Sequence, residues 1–245
     1  MTVLMPGSTW LPIDLASGNY AQGGMGTIRM YVPHIAVGYS PLHDFFNTPK
    51  AAAEKASAHG WVDVDGTSQQ YVSLDDRAYA VGSWNPYAIS WESAGMPGTA
   101  LTDAQLDVHA RNLVALRAMG HPIDLAVNHD DPNGSGVTPH CILGGGHTCP
   151  NSSDEMAHRP GVIEAQYDEI VARATALENG DDMPLNADDQ KAIADQADAA
   201  IIRACRPGGA IAGLVDGLAV QMSKIQAGDK LASGDHPISG TIHID

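Results

Sequence analysis

Between Val137 and Pro150 the chain sets two histidines, two cysteines and three consecutive glycines in one short loop, GVTPHCILGGGHTCP from Gly136. A loop of this composition constrains the whole fold, because a frame must hold its polar side chains together. His140 and Cys149 stand nine positions apart. Gly144, Gly145 and Gly146 let the backbone fold back sharply, so that both side chains can face one point. Zinc accepts imidazole nitrogen and thiolate sulfur together. The spacing matches no closed zinc-finger pattern, so the pair reads as half of a site. A catalytic centre needs a third protein ligand and an open fourth position. The rest of the chain has to supply that ligand, a proton-transfer group and a substrate groove.

Charge narrows the partners. Acidic residues outnumber basic ones 29 to 13, a net charge of -16, which argues against nucleic acid, since phosphate binding needs Lys and Arg clusters. The 44% hydrophobic content allows a real core. Three cysteines, Cys141, Cys149 and Cys205, form no even disulfide framework. Reduced thiols or a metal ligand are expected, with a Cys141–Cys149 disulfide as the alternative. The opening MTVLMPGSTWLPIDL has no basic region followed by a sustained apolar run, so it does not read as a signal peptide. No run approaches the ~20 apolar residues of a membrane span. The expectation is a soluble, cytoplasmic product without membrane insertion.

Residues 1–26 read as an extended lead-in. Thr27 to Val32 alternates as a strand does, Pro33 is expected to end its ladder, and His34 follows at the strand mouth. His43 beside Asp44 reads as a loop histidine, before a helical turn at 51–58. His59–Asp63 and Ser68–Ser73 flank Asp65-Gly66, a strong hairpin signal. Residues 74–84 read as loop. Tyr87–Glu92 reads as a strand with a carboxylate at its exit, costly to bury unless paired or functional. Thr102 and Gln105 form a capping box, and Leu106, Ala110, Leu113 and Leu116 supply a helical apolar stripe that stops at Gly120. His109 within it reads as structural. Residues 122–127 read as a strand and 160–178 as a second helix. The alternation of strands and helices predicts an α/β domain over residues 1–178, a central sheet covered by helices. A linker at 179–185 and a small helical C-terminal region at 186–245 follow. There the stripe from Ile211 to Ile225 offers self-association or packing on the main domain, and targeting to the cell wall is the third role open to the region.

His34, Glu92, His140 and Cys149 now form a set. With MYVPH at 30–34, S-A-H-x-x-V-D-x-D-G at 57–66, Gln70-Tyr71-Val72, Asp76-Arg77-Ala78, Asn85, I-S-W-E at 89–92 and H-T-C-P at 147–150, the chain resembles the zinc N-acetylmuramoyl-L-alanine amidases of the peptidoglycan-recognition-protein type. That family includes many phage lysins, and the resemblance covers roughly residues 27–175. It implies an α/β fold with a central mixed β-sheet flanked by helices, zinc held by His34, His140 and Cys149, and bacterial peptidoglycan as the substrate. It implies Glu92 as the proton-transfer group, because the position of the family's alternative tyrosine is Ala58 here. The family's lysine two residues before the last ligand is His147 in this chain, which would take over stabilisation of the oxyanion. The closing C-P-G is C-P-N, a minor change. The implied reaction is hydrolysis of the amide between N-acetylmuramic acid and the L-alanine of the stem peptide, by a lysin that reaches the wall after release from the producing cell. A non-catalytic peptidoglycan-binding module of the same fold is the competing reading, although such relatives usually lack a zinc ligand. A structural zinc or disulfide site in an unrelated α/β protein is a third, and it leaves His34 and Glu92 unexplained.

Overall fold

Thirteen regular elements follow one another among the described residues of the structure, a computed structural model that describes residues 2–180. They are β1 (Thr9–Trp10), β2 (Tyr20–Gly24), β3 (Met30–Ile35), α1 (His43–Phe46), α2 (Pro49–Glu54), β4 (Gly60–Val62), β5 (Ser68–Gln70), β6 (Asp76–Ala78), β7 (Ala88–Ser93), α3 (Asp103–Ala118), β8 (Gly136–Val137), α4 (Val162–Ala165) and α5 (Tyr167–Asn179). Six strands form one mixed sheet in the order β1-β5-β4-β7-β3-β8, with β4–β5 antiparallel and the other pairs parallel. This is the helix-flanked sheet expected from the alternation of elements, and it is mixed, as the family resemblance implies. Gly180, at φ 73, caps α5. The helical region expected over 186–245, with its Ile211–Ile225 stripe, lies outside the described residues. No helix among the described residues is long and apolar enough to cross a membrane.

β3 and β7 are adjacent interior strands of the sheet, and all of β3 is buried. Strands covered on both faces read as near-continuous apolar runs, as MYV and AIS-W do here. Tyr31, Ile35, Ile89 and Trp91 face one core, built with Leu106, Ala110, Leu113 and Leu116 of α3 and Ile170 and Ala174 of α5. Each fully buried leucine of that stripe stabilises the fold by about 1.5–3 kcal/mol. The capping box forms as expected: Thr102 accepts from the Gln105 N–H, and the Gln105 side chain accepts from the Thr102 N–H. Such a cap is worth about 1 kcal/mol. Arg173 of α5 fastens the two helices by donating to Asp103 (2.6 Å) and Asp107 (2.5 Å). His109 is structural. It joins the Tyr31 hydroxyl to the Ser93 hydroxyl, each at 2.8 Å. The opposite face of the sheet carries two smaller cores, one around Trp61, Tyr71 and Phe46, the other around Met30, Val32 and Leu143.

The Asp65-Gly66 hairpin forms between β4 and β5. Four other expectations are corrected. Pro33 does not end its ladder: β3 runs through it to Ile35, and Pro33 pairs with Trp91. On the β7 side the Ala36 N–H donates to Ser93, whereas Tyr31 O accepts from Thr138 and the Ile35 N–H faces Cys149 on the other edge. Pro33 alternates with Tyr31 and Ile35, so its missing donor faces that other edge, beyond the end of the two-residue β8. Residues 122–127 form no strand, because the Asp124 N–H goes to the Ser135 hydroxyl and only Val127 bridges to Val137. The helix expected over 160–178 is two helices that meet at Gln166, whose side chain both donates to and accepts from the Leu101 backbone. Finally, the lead-in and the 74–84 loop contribute β2 and β6, which pair as a separate two-stranded sheet.

Candidate metal centre

His34 and Glu92 are register partners on the parallel pair β3–β7. Partners in register share one side of a sheet, so both side chains leave the face opposite α3, near the C-terminal ends of their strands. His34 Nδ1 and Glu92 Oε1 are 4.0 Å apart, close but not hydrogen-bonded.

The third strand of the site brings the loop. β8 pairs with Met30 and Tyr31, and the Thr138 N–H donates to Tyr31 O at 2.9 Å. Pro139 then turns the chain into a short 3₁₀ helix that begins with His140. The Cys141 N–H donates to Cys149 O at 2.8 Å and closes the loop across the three glycines. Gly144, Gly145 and Gly146 have φ of 93, 78 and 72, a run of left-handed residues that only glycine adopts without strain. The Trp84 indole N–H donates to Leu143 O at 3.0 Å and pins the middle of the loop.

The ligand atoms of His34, His140 and Cys149 converge within 4.8 Å of one another. Cys149 Sγ is 3.5 Å from His34 Nδ1 and 3.5 Å from the Ile35 nitrogen. A tetrahedral site with bonds of about 2.0–2.3 Å has ligand–ligand edges of roughly 3.3–3.8 Å, so the first of these separations already suits ligation. The His34 and His140 rings meet edge to face at 4.9 Å, and His147 stacks on His140 with centroids 4.2 Å apart. His147 is exposed, and a Cβ on Gly145 would lie 2.9 Å from its ring.

Burial controls the proton equilibria. It pushes His34 well below the ordinary imidazole value, helped by the neighbouring His140 and His147. His140 falls to about 4, through burial and then through His147. Both rings therefore offer free lone pairs at neutral pH. Burial raises Glu92 to about 7 and raises the Cys149 thiol. A buried thiol of this kind becomes a ligand only when a cation compensates its charge. Among the described residues His34 Nε2 and Glu92 Oε2 are buried with no hydrogen-bond partner. Two neutral imidazoles, a thiol and an unsatisfied carboxylate around one point fit a metal with an open position.

All five residues singled out from the sequence thus come together. Cys141 and Cys149 are free thiols, not a disulfide; Cys205 lies outside the described residues. His43 stands apart, its Nδ1 2.9 Å from Asp44 Oδ1. Sequence reasoning missed Tyr167, whose hydroxyl donates to Pro33 O at 2.6 Å directly behind His34. A tyrosine inside a helical stripe carries no signal of that contact.

The family described as N-acetylmuramoyl-L-alanine amidase matches residues 24–152, more than half of the chain. A search of curated proteins found no match. Similar solved structures include the N-acetylmuramoyl-L-alanine amidase LysC of Clostridium intestinale, 14% identical with a TM-score of 0.49, covering 69% of this chain and 98% of that one. The Staphylococcus aureus hydrolase AmiA is 18% identical with a TM-score of 0.49, covering 75% and 89%. A mutant endolysin of Bacillus subtilis is 16% identical with a TM-score of 0.47, covering 69% and 99%.

Proposed function

The chain belongs to the N-acetylmuramoyl-L-alanine amidase family, and from that premise we propose that it is a zinc-dependent peptidoglycan hydrolase. It cleaves the amide between N-acetylmuramic acid and the first L-alanine of the stem peptide, as a phage endolysin does in host lysis. The observation that carries this reading is the convergence of His34, His140 and Cys149 within 4.8 Å, with Glu92 beside them.

His34, His140 and Cys149 would hold the zinc, leaving one position open. Lewis-acid activation of water and of the scissile carbonyl is the chemistry that zinc supplies when bound. Glu92 takes a proton from the attacking water and returns it to the departing amine. Burial raises its carboxyl to about 7 in the metal-free site, and a buried carboxylate beside the ligands suits general acid–base work. His147, exposed on the open side of His140, donates to the oxyanion of the tetrahedral intermediate. Tyr167 and the Pro33 carbonyl hold the end of β3, so His34 meets the site from a rigid strand.

The test is digestion of purified peptidoglycan with and without a zinc chelator, followed by assay of newly exposed N-terminal L-alanine. Chelator-sensitive release of that amine is expected. No release by zinc-loaded protein would overturn the amidase reading in favour of wall binding alone.

A further inference from the structure

Directly after Cys149 the chain makes a buried polar knot. Asn151 is 1% exposed, and so is Glu164 on α4. Asn151 Nδ2 donates to Glu164 Oε2 at 2.6 Å and lies 3.7 Å from Cys141 Sγ. Arg159 grips the same carboxylate with two nitrogens, at 3.0 and 2.5 Å, and also donates to His129 O at 3.0 Å. The knot therefore touches the segment of Cys149, the turn of His140 and the loop that leads into it. Burial alone would raise the Glu164 carboxyl, but its bonds from Arg159 and Asn151 hold it below the usual value. The fit is tight. A Cβ on Gly161 would lie 2.3 Å from Asn151 Oδ1.

This arrangement is a poor device for stability alone. Asn151 Oδ1 is buried without a partner among the described residues, and an unsatisfied buried acceptor costs free energy. A buried ion pair is often no better than apolar residues of the same volume. What the knot does achieve is a fixed path for residues 149–152, with the two ligand segments tied to each other by the bond from Cys141 N–H to Cys149 O. Groups that orient ligands in this way govern metal affinity.

We propose that Asn151 and Glu164 are positioning residues for the Cys149 sulfur: the Asn151–Glu164–Arg159 knot holds that ligand in place for the metal. C-P-N is then no minor variant of the loop end, because the asparagine links Cys149 to α4. The proposal rests on the reading that Cys149 is a metal ligand. The full chain is stripped of metal and titrated with cobalt(II), following the thiolate-to-cobalt charge-transfer absorption and, in parallel, the melting temperature of the metal-free form. In Asn151→Ala the Glu164–Arg159 pair remains, so the metal-free protein should still fold, melting lower by what the lost bond to the Glu164 carboxylate contributes. Its cobalt affinity should fall about 10- to 100-fold, with an altered charge-transfer band. Glu164→Gln should show the same spectral change. Should that variant fail to fold, Asn151→Ala alone decides. Parent-like affinity and absorption in Asn151→Ala would overturn the proposal. Absence of the charge-transfer band in the parent protein would instead overturn the assignment of Cys149 as a ligand.

Discussion

His34 and Glu92 face each other across the ladder of two parallel interior strands, with His34 Nδ1 4.0 Å from Glu92 Oε1. The sheet itself sets that distance, since register partners on adjacent strands lie about 5 Å apart. The proposed metal ligand and the proposed proton-transfer group are thus held together by backbone hydrogen bonds rather than by a loop.

The first prediction follows from that pairing. Glu92→Gln keeps the shape and the strand, so fold and zinc content should match the parent. Turnover should fall by about 10²- to 10⁴-fold, the usual worth of a general acid–base group. Metal analysis beside amine release from peptidoglycan checks both halves. Parental turnover would remove Glu92 from the mechanism.

Metal removal gives the second. A ligand that binds only the folded state stabilises it in proportion to the logarithm of its concentration over Kd. Chelation should therefore abolish amide hydrolysis and lower the melting temperature together. Zinc should restore both, and magnesium, which prefers oxygen ligands, neither. A melting temperature indifferent to chelator and zinc would count against the three-ligand site.

How much of this was legible beforehand depends on where the deciding contact lies. The capping box Thr102–Gln105 and the Asp65-Gly66 turn are local, and local chemistry can be read from adjacent residues. His34, Glu92, His140 and Cys149 were legible as a set only through the order and spacing of several motifs, since no single spacing among them is specific. Pro33 misled because a proline's effect depends on which edge its nitrogen faces, and that depends on β8, over a hundred residues away. Residues 122–127 alternate correctly for a strand, yet the Ser135 hydroxyl takes the Asp124 N–H. Asn151 looked like a small change in a loop because its partners, Glu164 and Arg159, follow in a segment that signals only a helix and its approach.

A third prediction concerns acid. His59 is buried between β4 and its neighbours. Its Nδ1 accepts from the Ser90 N–H at 3.1 Å, and its Nε2–H donates to Asp76 O at 3.1 Å. Burial lowers this imidazole from 6.5 to about 4. The folded state thus holds the neutral form. Its contribution is whole above pH 6.5, shrinks as the unfolded chain takes up the proton, and is gone at pH about 4. The loss is on the order of 3 kcal/mol. Melting temperature should fall steeply over that window. His59→Asn should melt lower at pH 7 but with a shallower slope between pH 6.5 and 4; an unchanged slope would assign the acid lability to other groups.

Val37 provides the last. It lies three residues beyond His34, is 61% exposed, and has φ of 52. The left-handed region is strained for a β-branched residue, costing roughly 1–2 kcal/mol. Lys55 has the same φ, but its side chain is anchored by a bond to Gly18 O and by the Tyr79 ring. Val37 has little burial to offset its strain. Gly38 on one side is fixed by reciprocal backbone bonds with Gly95, at 2.8 and 2.7 Å, and Ala36 on the other by its bond to Ser93. The backbone is therefore held in this conformation from both ends, and glycine would adopt it freely. Glycine also loosens the unfolded chain, at a cost of about 0.4–1 kcal/mol. The relief should exceed that cost, so Val37→Gly should raise stability by roughly 0.5–1 kcal/mol, read as a higher denaturation midpoint at an unchanged m-value. Lys55→Gly, which loses two contacts along with its strain, should gain less. A lower midpoint for Val37→Gly would mean that the valine side chain makes a stabilising contact worth more than its strain.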